Sequence, residues 1–406
     1  MTGGAPFHGW RAVWAGFATA FCAWGLGFYG PGVYLAALHE ARGWPVSLIS
    51  AAITAHFLCG ALLVARFPAL EARLGLARVI FAGALLSAVG VTLWASVPQA
   101  WMLFGAALMT GAGWALTSGA AVNAIVSPWF DRRRPAALSM AYNGASVGGV
   151  VFTPLWALLV SLLGFALAAP LLGAVTLLVM GVLALTILGA TPESRGQRPD
   201  GATAAEAAAA PPPPARAPLP PGRAVWRERR FATLSLGFSV GIFAQVGLIA
   251  HLFSLMQPAL GALGAGLAMS LVTVCAVVGR SLLAAVMPAG ADRRRAGALN
   301  FAVQVLGSLC LLLAGAEGVA LLLLGCVLMG LGVGNLISLP PLIAQAEFAR
   351  ADVGRVVALV TAVNQAAYAF APAAFGLLRD AMGSGAGVMA AAAVLQAAAA
   401  LILLRR

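Results

Sequence analysis

Apolar residues run through this chain in blocks of about twenty, separated by short segments rich in arginine, glycine and proline. A helix of that length, rising 1.5 Å per residue, matches the ~30 Å hydrocarbon core of a bilayer. Twelve such spans can be drawn: 13–37, 46–67, 77–97, 101–124, 136–160, 165–189, 232–256, 265–288, 297–315, 318–340, 354–378 and 385–404. None shows the strict alternation of an outer-membrane strand. The pattern predicts an all-α membrane protein with twelve transmembrane helices.

Composition agrees. The 406 residues are 62% hydrophobic and 9% charged, with a mean hydropathy of +0.96, which excludes a string of soluble domains. The net charge of +12 comes entirely from arginine, since the chain has no lysine. With the N-terminus placed in the cytosol, 21 of the 24 arginines fall in cytosolic segments, only Arg42 and Arg379 lie outside, and Arg280 is inside a span. So lopsided a split is an orientation signal, not a nucleic-acid footprint. It predicts a multi-pass protein of a bacterial inner membrane with both termini cytosolic. Residues 1–11 are too short and polar for a cleavable signal. The five cysteines all sit in apolar spans without metal spacing and read as small buried hydrophobes.

Residues 190–231 change character: proline, alanine and charge replace the apolar runs, and four prolines stand at 211–214. This reads as a cytosolic linker, part flexible and part polyproline-like, with its Arg227, Arg229 and Arg230 facing anionic lipid headgroups. It divides the chain into 1–189 and 232–406, six spans each. The halves echo one another. Ala137-Leu138, Ala141 and Asn143 recur as Ala358-Leu359, Ala362 and Asn364, and Leu108-Met109 recurs as Leu328-Met329. Two six-helix repeats suit a transporter working by alternating access. Glycines at small-residue spacing, among them Gly144 and Gly148, let helices approach closely in lipid. Kinks are expected at Gly30-Pro31-Gly32 and Leu339-Pro340-Pro341.

One charge lies deep. Arg280 sits about eight residues from the cytosolic end of the eighth span, roughly 12 Å along the helix, where an arginine costs at least ~2.5 kcal/mol. The apolar spans contain no Asp or Glu. Two readings follow. Arg280 receives an anion brought by a substrate, or it snorkels to headgroups or helix-end carbonyls.

Four local motifs then carry a resemblance. Gly9-Trp10-Arg11 precedes the first span, Gly43-Trp44-Pro45-Val46-Ser47 opens the second, Trp129-Phe130-Asp131-Arg132-Arg133-Arg134-Pro135 joins the fourth to the fifth, and Gly279-Arg280 lies on the eighth. With the topology, they resemble the major facilitator superfamily, and within it the branch of monocarboxylate transporters and oxalate/formate exchangers. Departures stand beside the likeness. The superfamily loop after the second span is degenerate, with Glu71 one place before the usual Asp. Ala276 stands where proton-coupled relatives can carry Asp. The eleventh span has no second cation.

The resemblance implies a secondary transporter without a cofactor. One fixed cation is neutralised by a monovalent anion, and arginine's planar fork matches a carboxylate, so a small monocarboxylate is the expected substrate. Neutral groups that would complete the site are Tyr29, Tyr142, Asn143, Asn335, Asn364, Gln365 and Tyr368; each also reads as a helix-to-helix tie. His251 and His56 are the groups able to carry a coupling proton near neutral pH. The resemblance favours His251, because the seventh span lines the cavity in this fold. Moving an anion inward against the potential costs ~2.3 kcal/mol per 100 mV, which proton symport or anion exchange would cancel. A drug or cation exporter of the same fold is the alternative, but Glu40, Glu317 and Asp380 all lie at outer loop edges. No H-E-x-x-H, G-x-S-x-G or P-loop is present, so an enzyme or sensor is the remote reading.

Overall fold

The computed structural model describes residues 7–130, 133–201, 224–287, 291–315, 318–348 and 352–405. The prolines at 211–214, Asp131 and Arg132 of the loop motif, Glu317 and Arg350 lie outside the described residues. Among those described, all regular structure is helical. In lipid this is what the backbone requires, because every N–H and C=O must find a partner within its own segment.

Among the described residues, eleven helical stretches are long and apolar enough to cross a membrane. The expected twelve are reconciled in one of them. The helix Arg229–Val286 has 58 residues, which as a straight rod would be about 87 Å, far more than a bilayer needs. It reverses at Gly261, whose φ of 68° and ψ of 172° are open to glycine and strained for other residues. The two legs are the expected seventh and eighth spans.

Four spans are broken near their middle. The first divides into Gly9–Gly27 and Gly30–Arg42, and the fourth into Leu103–Thr117 and Gly119–Val126. The tenth divides into Val319–Val333 and Asn335–Glu347, and the eleventh into Val353–Ala369 and Ala371–Met382. Pro31 and Pro372 each sit in the first turn after a break, where a missing N–H costs nothing. The kink expected at Pro340-Pro341 is corrected: both prolines lie inside Asn335–Glu347, and the tenth span breaks at Gly334 instead. The physical reason is contact. A Cβ on Gly334 would run into the backbone oxygen of Ala276, so close approach of the eighth span decides where the tenth one yields.

The chain forms two compact units. One comprises Met1–Gly30, Cys59–Phe152 and Leu163–Pro214. Its core gathers Val13, Ile80, Val122, Ile125, Val126, Ala141 and Met180. Gly148 holds the fifth span against the first, because a Cβ there would meet the carbonyl oxygen of Phe21 at 2.6 Å. Lipid tails are as apolar as leucine, so such close packing, not a hydrophobic force, holds the helices together. Part of the stretch expected as linker is docked here: the N–H of His8 donates to Gln197 at 2.9 Å and that of Arg133 to Asp200 at 3.2 Å.

The other unit comprises Pro31–Leu58, Thr153–Leu162 and Ala215–Arg406. Its core holds Phe231, Phe238, Phe301, Leu339, Ile343, Val360 and Leu403. At one end lies Arg294, 1% exposed. It makes a two-pronged pair with Glu347 at 2.6 and 2.8 Å and also donates to Thr233 and to the carbonyls of Arg230 and Leu403. Five bonds to four partners on three other spans satisfy a charge that alone would be very costly to bury.

Candidate functional site

Arg280 is half-buried in the second unit, and its Nε donates to the carbonyl oxygen of Gly334 at 3.2 Å. Gly334 is the residue at which the tenth span breaks. Glycines bring the two spans this close. A side chain on Gly279 would collide with the backbone of Leu331, and one on Gly330 with that of Val272. Gly279 thus explains why glycine precedes the arginine: it lets the eighth span lie on the break that the guanidinium reaches.

The break leaves the last carbonyls of Val319–Val333 without helical donors. Side chains serve two of them. Asn335 donates to the carbonyl of Leu331 at 3.1 Å, and Asn300 donates to that of Gly332 at 3.2 Å. Asn335 also donates to the Oδ1 of Asn300 at 2.9 Å. Both asparagines are buried; the NH2 of Asn335 is committed to this tie, and its Oδ1 is buried without a hydrogen-bond partner among the described residues.

A second cluster surrounds the break in the eleventh span. His251 is fully buried, and its Nε2 lies 3.2 Å from the carbonyl oxygen of Pro372 and 3.5 Å from the Ser50 hydroxyl. The backbone N–H of Ala373 donates to Thr54 at 3.0 Å. Asn364 is buried and accepts from Ser239 at 2.8 Å, tying the eleventh span to the seventh. Gln365 and Tyr368 are half-buried, with the Tyr368 ring edge-on to Phe57 at 5.8 Å. His56 is buried beside the Phe57 ring, at 4.9 Å. A cavity of about 320 Å³ in this unit lies elsewhere, lined by Arg230, Asp292, Arg293 and Glu347 beside the Arg294 cluster.

In the first unit, Tyr29 stands at the break of the first span, its ring 5.1 Å from Phe28. The Tyr142 hydroxyl donates to the carbonyl of Gly119, just past the break at Ser118, at 2.9 Å, and accepts from Asn123 at 2.6 Å. Asn143 is exposed beside it. The two unequal neighbours show how a one-residue step around a helix separates a tied group from an open one.

The sequence reading missed several residues here. Trp24 and Trp114 lie 4.8 Å apart with Tyr142 6.1 Å from Trp24, all half-buried. Asn123 and Asn300 also escaped notice; a lone asparagine inside an apolar run was the available signal for both. Outside the spans, Glu71 is part-buried, and burial holds its carboxyl above the usual range. Among the described residues no group of His, Cys, Asp and Glu has the arrangement of a metal site.

A common feature unites these positions. Arg280, His251 and Tyr142 each reach a backbone carbonyl at or next to a broken helix. Irregular backbone at membrane depth is tolerated where it is buried in protein or lines a cavity, and discontinuous helices are where transport sites are built.

Comparison with known proteins places the fold. The structure resembles a bacterial homologue of the human lysosomal transporter Spinster, solved in an inward-facing and occupied conformation. The TM-score is 0.72 at 14% identity, over 99% of this chain and 96% of that one. It also resembles a point mutant of the nucleoside transporter NupG, with a TM-score of 0.69 at 14% identity, covering 98% of each chain. At such identities the likeness is one of fold. In sequence, 76 residues are 32% identical to the MFS transporter asaE of Aspergillus flavus, a match covering 19% of this chain and 17% of that relative's length. The family model of the Major Facilitator Superfamily matches residues 13–372, nearly nine-tenths of the chain, and its transporter relatives set aside the enzyme reading. The chain is therefore a multi-pass membrane transporter and belongs to the Major Facilitator Superfamily.

Proposed function

We propose that this transporter carries a small organic anion, most simply a monocarboxylate, by alternating access, and that Arg280 takes the carboxylate. The observation that carries the reading is a guanidinium within a membrane-length helix, held at its Nε by the carbonyl of a broken neighbour. That bond holds the Nε–H of the group and restricts the orientation of its plane. A fixed plane is what two-pronged carboxylate recognition needs. The alternative in which arginine merely meets a helix-end carbonyl describes the same bond, and substitution separates them.

In this reading the chain works as two six-span halves, 1–189 and 232–406, joined by 190–231, in a bacterial inner membrane with both termini cytosolic. His251, with His56 second, carries the coupling proton if flux is proton-linked; exchange against a counter-anion needs neither. Tyr29, Tyr142, Asn143, Gln365 and Tyr368 are the neutral candidates for orienting the substrate. Asn335, whose NH2 is tied to Asn300, and Asn364, whose Oδ1 accepts from Ser239, complete the neutral candidates and also shape the breaks. Membrane lipids meet the arginine-rich segments.

The test is uptake into proteoliposomes of labelled acetate, L-lactate, pyruvate and benzoate beside labelled lipophilic cations. Acid flux abolished by Arg280→Gln supports the reading. Cation flux indifferent to Arg280 would replace it with the exporter of the same fold.

A further inference from the structure

We propose that Asn300, on the ninth span, is a positioning residue for Arg280: its amide closes the break in the tenth span and so sets the carbonyl that holds the guanidinium. The inference deepens the proposed role of Arg280, but its geometry stands by itself. A continuous set of bonds runs from one residue to the other. Asn300 Nδ2 donates to the Gly332 carbonyl at 3.2 Å, and Asn300 Oδ1 accepts from Asn335 at 2.9 Å. The N–H of Gly334 also donates to the Gly332 carbonyl. The Gly334 carbonyl then accepts from Arg280 Nε at 3.2 Å.

Asn300 therefore grips both sides of the break, Gly332 before it and Asn335 after it. It is 7% exposed, so water does not replace it cheaply. The fit behind it is tight: a Cβ on Gly332 would be driven into Gln304, one turn along the same ninth span. The ninth span thus backs the break from one side while Gly279 and Ala276 press on it from the other. With Asn300 truncated, the Gly332 carbonyl keeps the Gly334 N–H but loses its side-chain donor, and one Asn335 N–H loses its acceptor. The break then re-forms around other donors, and the Gly334 carbonyl turns with it.

The experiment uses the full chain in lipid nanodiscs with ¹⁵N-labelled arginine, the Arg280 Nε–H signal being assigned by its loss in Arg280→Lys. Asn300→Ala is compared with Ser308→Ala, which removes a buried hydrogen bond, to Gln396 at 2.8 Å, from the same span two turns away from Asn300. We expect Asn300→Ala to move the Arg280 signal and speed its hydrogen exchange about tenfold, the loss of roughly one hydrogen bond, with Ser308→Ala leaving it in place. For any of L-lactate, pyruvate or benzoate that the wild type carries, we expect KM to rise about tenfold with the maximal rate within twofold. An unmoved Arg280 signal in folded Asn300→Ala protein would overturn the proposal. Should that variant not fold, Asn335→Ser removes the partner bond and is read the same way. Wild-type protein that carries none of the acids would remove the carboxylate reading while the NMR comparison still decides the positioning role.

Discussion

His251 and Pro372 are joined through a ring nitrogen, Nε2 lying 3.2 Å from the proline's carbonyl oxygen. A carbonyl only accepts, so Nε2 carries a proton and donates it to that oxygen. The other nitrogen, Nδ1, is buried without a hydrogen-bond partner among the described residues. Two turns beyond Pro372 the same helix carries Arg379, which donates to Ser254 at 2.6 Å, and Asp380, which accepts from the N–H of Ser47 at 2.9 Å. A ring placed on a helix break and able to take one more proton is suited to linking protonation to movement of that break. We expect His251→Gln, which keeps one donor, to flatten the dependence of acid uptake on external pH while counter-anion exchange continues. A pH profile identical to wild type would acquit this histidine.

Much of this arrangement was legible in the sequence, and the reasons it was not complete are physical. Span positions followed from apolar run lengths because lipid leaves helices few alternatives. The seventh and eighth spans came out as separate runs, although their helices join through Gly261. The break in the tenth span was misplaced because proline is the obvious local signal, whereas the decisive term is the contact of Gly334 with Ala276. Arg280 stood out through its cost in lipid; its partner is a backbone carbonyl, which no sequence pattern marks. Asn335 and Asn364 looked like donors to a substrate; the Asn335 NH2 donates to Asn300 and Leu331, whereas Asn364 accepts from Ser239 through its Oδ1. Asn143 and its repeat counterpart Asn364 differ most: one is exposed and the other buried, so a shared motif did not mean a shared environment.

Arg294 read in sequence as one more orientation charge, yet it is the most deeply placed cation described. Its forked pair with Glu347 joins the start of the ninth span to the end of the tenth. Breaking the pair leaves an uncompensated buried charge, so we expect Arg294→Ala and Glu347→Gln each to cost about 3–5 kcal/mol. The double change to Met and Leu should recover most of that loss. Denaturation in detergent would show it, and equal losses in single and double variants would contradict the account.

His8 links acidity to the docking of the N-terminus. Its ring packs on Trp129 at 5.1 Å, and burial first, then Arg195 and Arg11, hold its pKa below the ordinary 6.5. A lowered folded value means that the undocked state binds the proton more readily. The docking is therefore fully present above pH 6.5 and fades as pH falls through the lowered value. We expect hydrogen exchange in residues 191–201 to quicken on acidification and His8→Phe to remove that response. Exchange that slows in acid would reverse the sign and refute it.

The central claim is that Arg280 receives the carboxylate, and the most direct measurement is the thermal shift of purified protein with a panel of small carboxylates. The account expects one or more acids to stabilise wild-type protein. It expects Arg280→Lys, which keeps the charge but loses the planar fork, and Arg280→Gln to abolish that shift while remaining folded. An acid that stabilises both variants as well as it stabilises wild type would contradict it.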